Sequence, residues 1–193
     1  HFDEELAELH KEIIRMGVLT QEAIYQSIEA LKSRNRTKAQ EVITSDNEID
    51  KLELLIDEKC IDLIARFQPL AVDLRFITTG MRINADLERI ADLAVDIAQR
   101  VLELVNKPIL KPLIDIPILS TVAQHMVRDA IGSFINKDVE LARKVVLSDK
   151  QADDLRNQIQ EELINDYMLH DSQTADRAVP LLLIARHLER ICD

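Results

Sequence analysis

One hexapeptide occurs twice. Leu87-Glu-Arg-Ile-Ala-Asp92 returns as Leu188-Glu-Arg-Ile-Cys-Asp193, with five of the six positions identical. A second pair of segments keeps the same order: Ala39-Gln-Glu-Val-Ile-Thr-Ser-Asp-Asn-Glu-Ile-Asp50 aligns with Ala142-Arg-Lys-Val-Val-Leu-Ser-Asp-Lys-Gln-Ala-Asp153. The offset is 103 residues in the earlier pair (Asp46 to Asp149) and 101 in the later one (Glu88 to Glu189), so a loop absorbs two residues. A period near one hundred is too long for a solenoid unit and suits two copies of a small domain. Whatever the chain folds into must be built twice.

The building material is helical. Only 3 Gly, 5 Pro, 4 Phe, 2 Tyr and no Trp stand against abundant Leu, Ile, Ala, Asp and Glu. Strand-rich chains carry more Gly, aromatics and β-branched alternation. Phe2, Leu6, Leu9, Ile13, Met16, Ala23, Ser27 and Leu31 recur at steps of three and four, which describes one long amphipathic helix. Asn35 to Thr37 breaks it, and Lys38 to Thr44 reads as a short helical piece. Ser45-x-x-Glu48 then has the form of a capping box opening a second long helix to about Phe67, and Ser148-x-x-Gln151 repeats it. Gln68-Pro69 forces a turn, because Pro disfavours helix in the residue before it. A third helix spans about 71–105. The second copy reads as helices at about 118–136, 138–147, 149–169 and from 175 onward, with Pro180 near the start of the last. The expectation is all-α: two tandem three-helix bundles, up-down-up, related by internal duplication. Residues 1–106 form the first repeat, 107–117 a linker holding Pro108, Pro112 and Pro117, and 118–193 the second repeat. Equivalence of the halves also leads us to expect about a dozen further residues after Asp193, matching 93–105.

Charge narrows the partners. A net charge of −11 argues against nucleic acid or an anionic membrane surface and is compatible with cations or a basic protein. Cys60 and Cys192 form no Cys-x-x-Cys motif, so a reducing cytoplasmic compartment is the default. No apolar run approaches the roughly 20 residues of a membrane span.

The repeated string also carries the best candidate chemistry. Glu88, Asp92 and Asp96 are spaced by four, so they share one helix face about 6 Å apart along the axis. Like charges so placed repel by a few tenths of a kcal/mol per pair. Hard divalent or trivalent cations would offset that cost, since carboxylate oxygens are their preferred ligands. Glu189 and Asp193 repeat the pair, and Asp50 and Asp153 are the matching contributors from the second helix of each repeat. The competing reading is a solvated acidic face, with Arg89 neutralising Asp92 and Arg82 neutralising Asp86. Asp46 and Asp149 directly follow the apparent Ser caps, where a carboxylate opposes the positive end of the helix dipole, so both read as structural. Glu53 becomes Arg156 in the second copy and drops out as a shared ligand. None of the histidines forms a Glu-x-x-His motif, which a ferritin-like di-iron bundle requires. His187 reads as a packing or surface residue, and Cys192 as a small buried hydrophobe.

Phe67-Gln-Pro-Leu-Ala-Val-Asp-Leu-Arg75, Leu87–Asp92 and the stretch from Arg177-Ala through Ile184-Ala-Arg-His-Leu-Glu-Arg-Ile-Cys-Asp193 resemble the PhoU family along essentially the whole chain. The resemblance implies a non-enzymatic cytoplasmic regulator that represses phosphate uptake and the phosphate-starvation response. Its partners would be the ATPase of the phosphate ABC transporter and a phosphate-sensing histidine kinase, with a homodimer common and the membrane reached only through those partners. Some family members bind iron or other metal ions, zinc among the candidates, through Glu/Asp-x-x-x-Asp motifs. By position these fall on Glu88 and Asp92, and on Glu189 and Asp193. The sequence departs from the usual pattern at Ala91 and Cys192, where Gly is frequent, at Asp96, where Asn is frequent, and at Gln99, which replaces an acid. Two other classes stay open: a metal-dependent hydrolase or oxidase using the carboxylates, and a purely structural bundle with a solvated acidic face.

Overall fold

The structure, a computed structural model, describes residues His1–Asp193 and consists of helices joined by short connections. The first half contains α1 (Phe2–Ser33), α2 (Arg36–Phe67) and α3 (Ala71–Leu104). The second contains α4 (Asp115–Asn136), α5 (Val139–Glu162) and α6 (Ala175–Cys192), with a π-helical stretch at Leu163–Met168 and a 3-10 turn at Ser172–Thr174 before α6. Each half is a bundle in which every helix meets the other two. The halves join through α1 on α4 and α3 on α6, and their buried apolar residues form one continuous core. The all-helical, duplicated architecture expected from the sequence is present.

The starts and stops of the helices are duplicated too, though not at Ser45 and Ser148. Both serines lie inside unbroken helices, and Ser148 Oγ donates to the Lys144 carbonyl one turn back. The N-caps are Asn35 and Asp138, 103 residues apart, whose side chains accept from the backbone N–H of Lys38 and Leu141, each at 3.0 Å. A Ser-x-x-Glu string suits a helix start but is also harmless mid-helix, because the hydroxyl can turn back to its own helix. The preceding residues, Arg34 and Lys137, take left-handed conformations at φ 52° and 54° that end α1 and α4. The expected short helices at 38–44 and 138–147 are therefore the first turns of α2 and α5.

The halves meet closely where side chains are small. At Gly17 a Cβ would run into the tip of Ile131, so the absence of a side chain lets α4 approach α1. An aromatic stack continues the joint: His10 of α1 lies 4.3 Å from Phe76 of α3, which stacks at 4.5 Å and 9° on Phe134 of α4. Pro180 sits inside α6 and cannot donate to the carbonyl of Asp176 four residues back. Lys107 Nζ fills that vacancy at 2.9 Å, tying the segment after α3 to the first turn of α6. No helix is long and apolar enough to cross a membrane.

Candidate metal centres

Adjacent packing of α2 and α3 brings Asp46, Asp50 and Asp92 together, with one oxygen from each lying within 4.8 Å of the others. The second half repeats the arrangement with Asp149, Asp153 and Asp193 under the same limit. These are the same positions by the internal offset, so the duplication applies to three-dimensional sites as well as to strings. Helical geometry explains each trio. Asp46 and Asp50 are four apart on α2, hence on one face, and Asp92 meets them from α3. Asn84, buried one turn before Glu88, donates through Nδ2 to the Glu53 carbonyl at 2.8 Å and fixes α3 against α2 at this level.

Glu88 and Glu189 complete the two groups. Glu88 faces Asp92, Asp50 and Glu53, and Glu189 faces Asp193 and Asp153. Burial first, and these acids second, push both glutamates up to about 7. Asp46 is raised to about 6 by burial and by Asp50 and Asp92, and Asp149 is raised by burial and by Asp153 and Asp193. Cys192 is buried beside the second cluster, and its thiol is pushed up to about 12 by burial and then by the four carboxylates around it. It is a protonated thiol and packs as a small hydrophobe.

Two expectations need correcting. Asp46 and Asp149 do not oppose a helix dipole, since α2 and α5 begin ten residues or more earlier; they belong to the clusters. The signal was present as Asp-x-x-x-Asp at 46–50 and 149–153, the same spacing as at 88–92, and was masked by the apparent Ser cap. The neutralised acidic face also fails in detail. Arg89 pairs with Asp86 at 3.6 Å rather than with Asp92, and no acid of either cluster forms an ion pair with a basic side chain. Asp96 stands apart from the trio, beside His187 of α6.

The donor chemistry fits a hard cation. Every candidate ligand is a carboxylate oxygen, and one oxygen of Asp46 and one of Asp149 are buried without any hydrogen-bond partner. The orphaned buried acceptors lie at two equivalent positions, each inside a cluster whose acids pair with no basic side chain. A groove of about 720 Å³ runs between α3, α4 and α6, and Asp92 and Asp193 both line it together with Arg89 and Arg190.

Fold and site together define a class: an internally duplicated six-helix bundle carrying one acidic cluster per repeat. Within that class the chain belongs to the PhoU family, whose PhoU domain matches residues 13–101 and again residues 116–193. It is 43% identical over 186 residues to a phosphate-specific transport system accessory protein PhoU homolog of Aquifex aeolicus, covering 96% of this chain and 84% of that one. A second homolog, from Thermotoga maritima, is 35% identical over 191 residues, 99% of this chain and 81% of its own. Among solved structures, PhoU from Pseudomonas aeruginosa superposes with a TM-score of 0.94 at 31% identity, covering 100% of this chain and 92% of that one. The phosphate transport system regulatory protein PhoU from Streptococcus pneumoniae follows at 0.91 and 28%, with 100% and 90% covered.

Proposed function

We propose that this chain is an accessory regulator of phosphate transport. It would act in the cytoplasm as a homodimeric adaptor between the phosphate ABC transporter's ATPase and a phosphate-sensing histidine kinase, repressing uptake and the starvation response when phosphate is ample. Family membership carries this reading: relatives aligned over nearly the whole chain are named as accessory proteins of the phosphate-specific transport system. The adaptor role assigns no catalytic step to the chain. Helical surfaces on two similar halves supply contacts, and the partners supply the chemistry.

We further propose that the clusters hold divalent or trivalent cations such as iron or zinc. Asp46, Asp50, Asp92 and Glu88 would hold one ion, and Asp149, Asp153, Asp193 and Glu189 the other. Bound cations would offset the burial of these carboxyls and the repulsion among them, which together raise the glutamates to about 7, and so would fasten α2 to α3 and α5 to α6. Asp96 is outside this set because of its place beside His187.

Deleting the gene and following phosphatase expression in high phosphate tests the adaptor role. Derepressed expression, restored by the full-length gene, is expected. Normal repression in the deletion strain, or failure to recover the transporter ATPase or the kinase in pull-downs at both high and low phosphate, would overturn it.

A further inference from the structure

A second cavity, opposite in charge to the clusters, lies where the two halves join. It is a half-open cavity of about 310 Å³ between the ends of α1 and α3, the segment connecting α3 to α4, and the start of α6. Lys32, Arg34, Lys111 and Arg177 line it, and no carboxylate does. In a chain with 35 acids against 24 Lys and Arg, a lining of four cations and no acid is a departure from the general surface.

The acids that do pair with these cations stand outside the lining. Lys111 is buried, with Nζ 2.7 Å from Glu162, and the exposed Lys32 pairs along its own helix with Glu29 at 3.0 Å. Arg177 spends only Nε, on the adjacent Asp176 at 3.2 Å. Arg34 reaches across through Nη2 alone to the carbonyls of Leu104 at 3.0 Å, Val105 at 3.3 Å and Lys107. Both guanidinium groups therefore keep N–H donors that bond to no other protein group, and both residues line the cavity, Arg34 from the end of α1 and Arg177 from α6. Between the cations the wall is apolar, with Leu31, Leu104 and Leu181 buried in it.

We propose that this cavity binds a small organic oxyanion, a phosphate ester or carboxylate attached to an apolar group. Planar guanidinium forks match the oxygens of either head group, and charge-assisted bonds of this kind are stronger than neutral ones. The volume exceeds what a bare head group fills and lies at the small end of ligand pockets, which leaves the leucine wall for the organic part. Because the wall draws on α1, α3 and α6, occupancy would tie the first half to the second. This site is separate from the acidic clusters and does not depend on the adaptor reading.

Calorimetric titration of the EDTA-treated chain with phenyl phosphate, benzoate, inorganic phosphate and phenol tests the proposal. EDTA excludes phosphate held through a cation at the clusters. We expect one saturable site for phenyl phosphate or benzoate, with the tighter of the two identifying the head group, weaker binding of inorganic phosphate, and none of phenol. Arg177→Gln should weaken the tighter probe about tenfold or more, as should added salt. Lys32→Gln, at an exposed position where folding is not at risk, should weaken it in the same direction, with circular dichroism confirming the fold of both variants. Absence of saturable binding by both organic probes, equal affinity for phenol, or unchanged affinity in both variants would overturn it.

Discussion

Replacing Glu88 and Glu189 together by Gln is expected to stabilise the metal-free protein at pH 8 and to leave it nearly unchanged at pH 5. Both carboxyls are raised from 4.5 to about 7, first by burial and then by the acids facing them. Between those values the folded chain keeps protons that the unfolded chain releases, so stability falls as pH rises, and the whole penalty is felt above pH 7. A rise from 4.5 to about 7 is equivalent to roughly 3 kcal/mol per group. Each cluster opens to solvent on one side, which screens the charges, and we take about half of that, ~1.5 kcal/mol per cluster. Two clusters then give about 3 kcal/mol, or roughly 6–12 °C in Tm for a chain of this size. His10 and His187, whose pKa values are lowered first by burial, act in the opposite sense over the same range. They are common to variant and wild type, so the difference between the two removes most of their effect. Urea unfolding in EDTA at stepwise pH, followed by circular dichroism, is the assay. A variant that is no more stable than wild type at pH 8, or that gains equally at pH 5, would refute the reasoning.

Further substitutions probe the frame that positions the clusters. Asn35→Ala and Asp138→Ala should each cost about 1 kcal/mol in denaturant unfolding, whereas Ser45→Ala should cost almost nothing, because the first two residues cap helices and the serine lies within one. Gly17→Ala should destabilise by about 1–2 kcal/mol despite its gain in helix propensity, since the new methyl meets the tip of Ile131. Adding Ile131→Val, which removes that tip, should recover most of the loss, and additive effects in the double-mutant cycle would count against a direct contact.

The frame was legible because it is written twice. A stripe of apolar residues can be misread once, but the offset of about one hundred residues required that the second half repeat the helices of the first in the same order. Helix starts were less legible. Ser45 and Ser148 satisfy a capping pattern that a helix interior also tolerates, while Asn35, the actual cap, reads only as a break. That one misreading also concealed Asp46 and Asp149, whose place in the clusters depends on α2 and α5 running unbroken past them. Glu88, Asp92, Glu189 and Asp193 were visible as a repeated helical spacing, but which partners they meet depends on how α3 lies on α2 and α6 on α5. The change of offset from 103 to 101 falls between Asp153 and Leu188, a span that also holds the π-helical stretch Leu163–Met168, whose wider turns no local sequence pattern announces. The basic cavity was invisible for a related reason: Lys32, Arg34, Lys111 and Arg177 are scattered along the chain and converge only when the halves dock.

The paired clusters are the centre of this account, and metal titration of the EDTA-treated chain tests them most directly. Calorimetry with Mn²⁺, Zn²⁺ and Fe²⁺ should show saturable binding at both repeats. Asp50→Asn should remove the component belonging to the first cluster and Asp153→Asn that belonging to the second, with the fold retained in each. Saturable binding that both substitutions leave intact, or no saturable binding of any of the three ions, would contradict it.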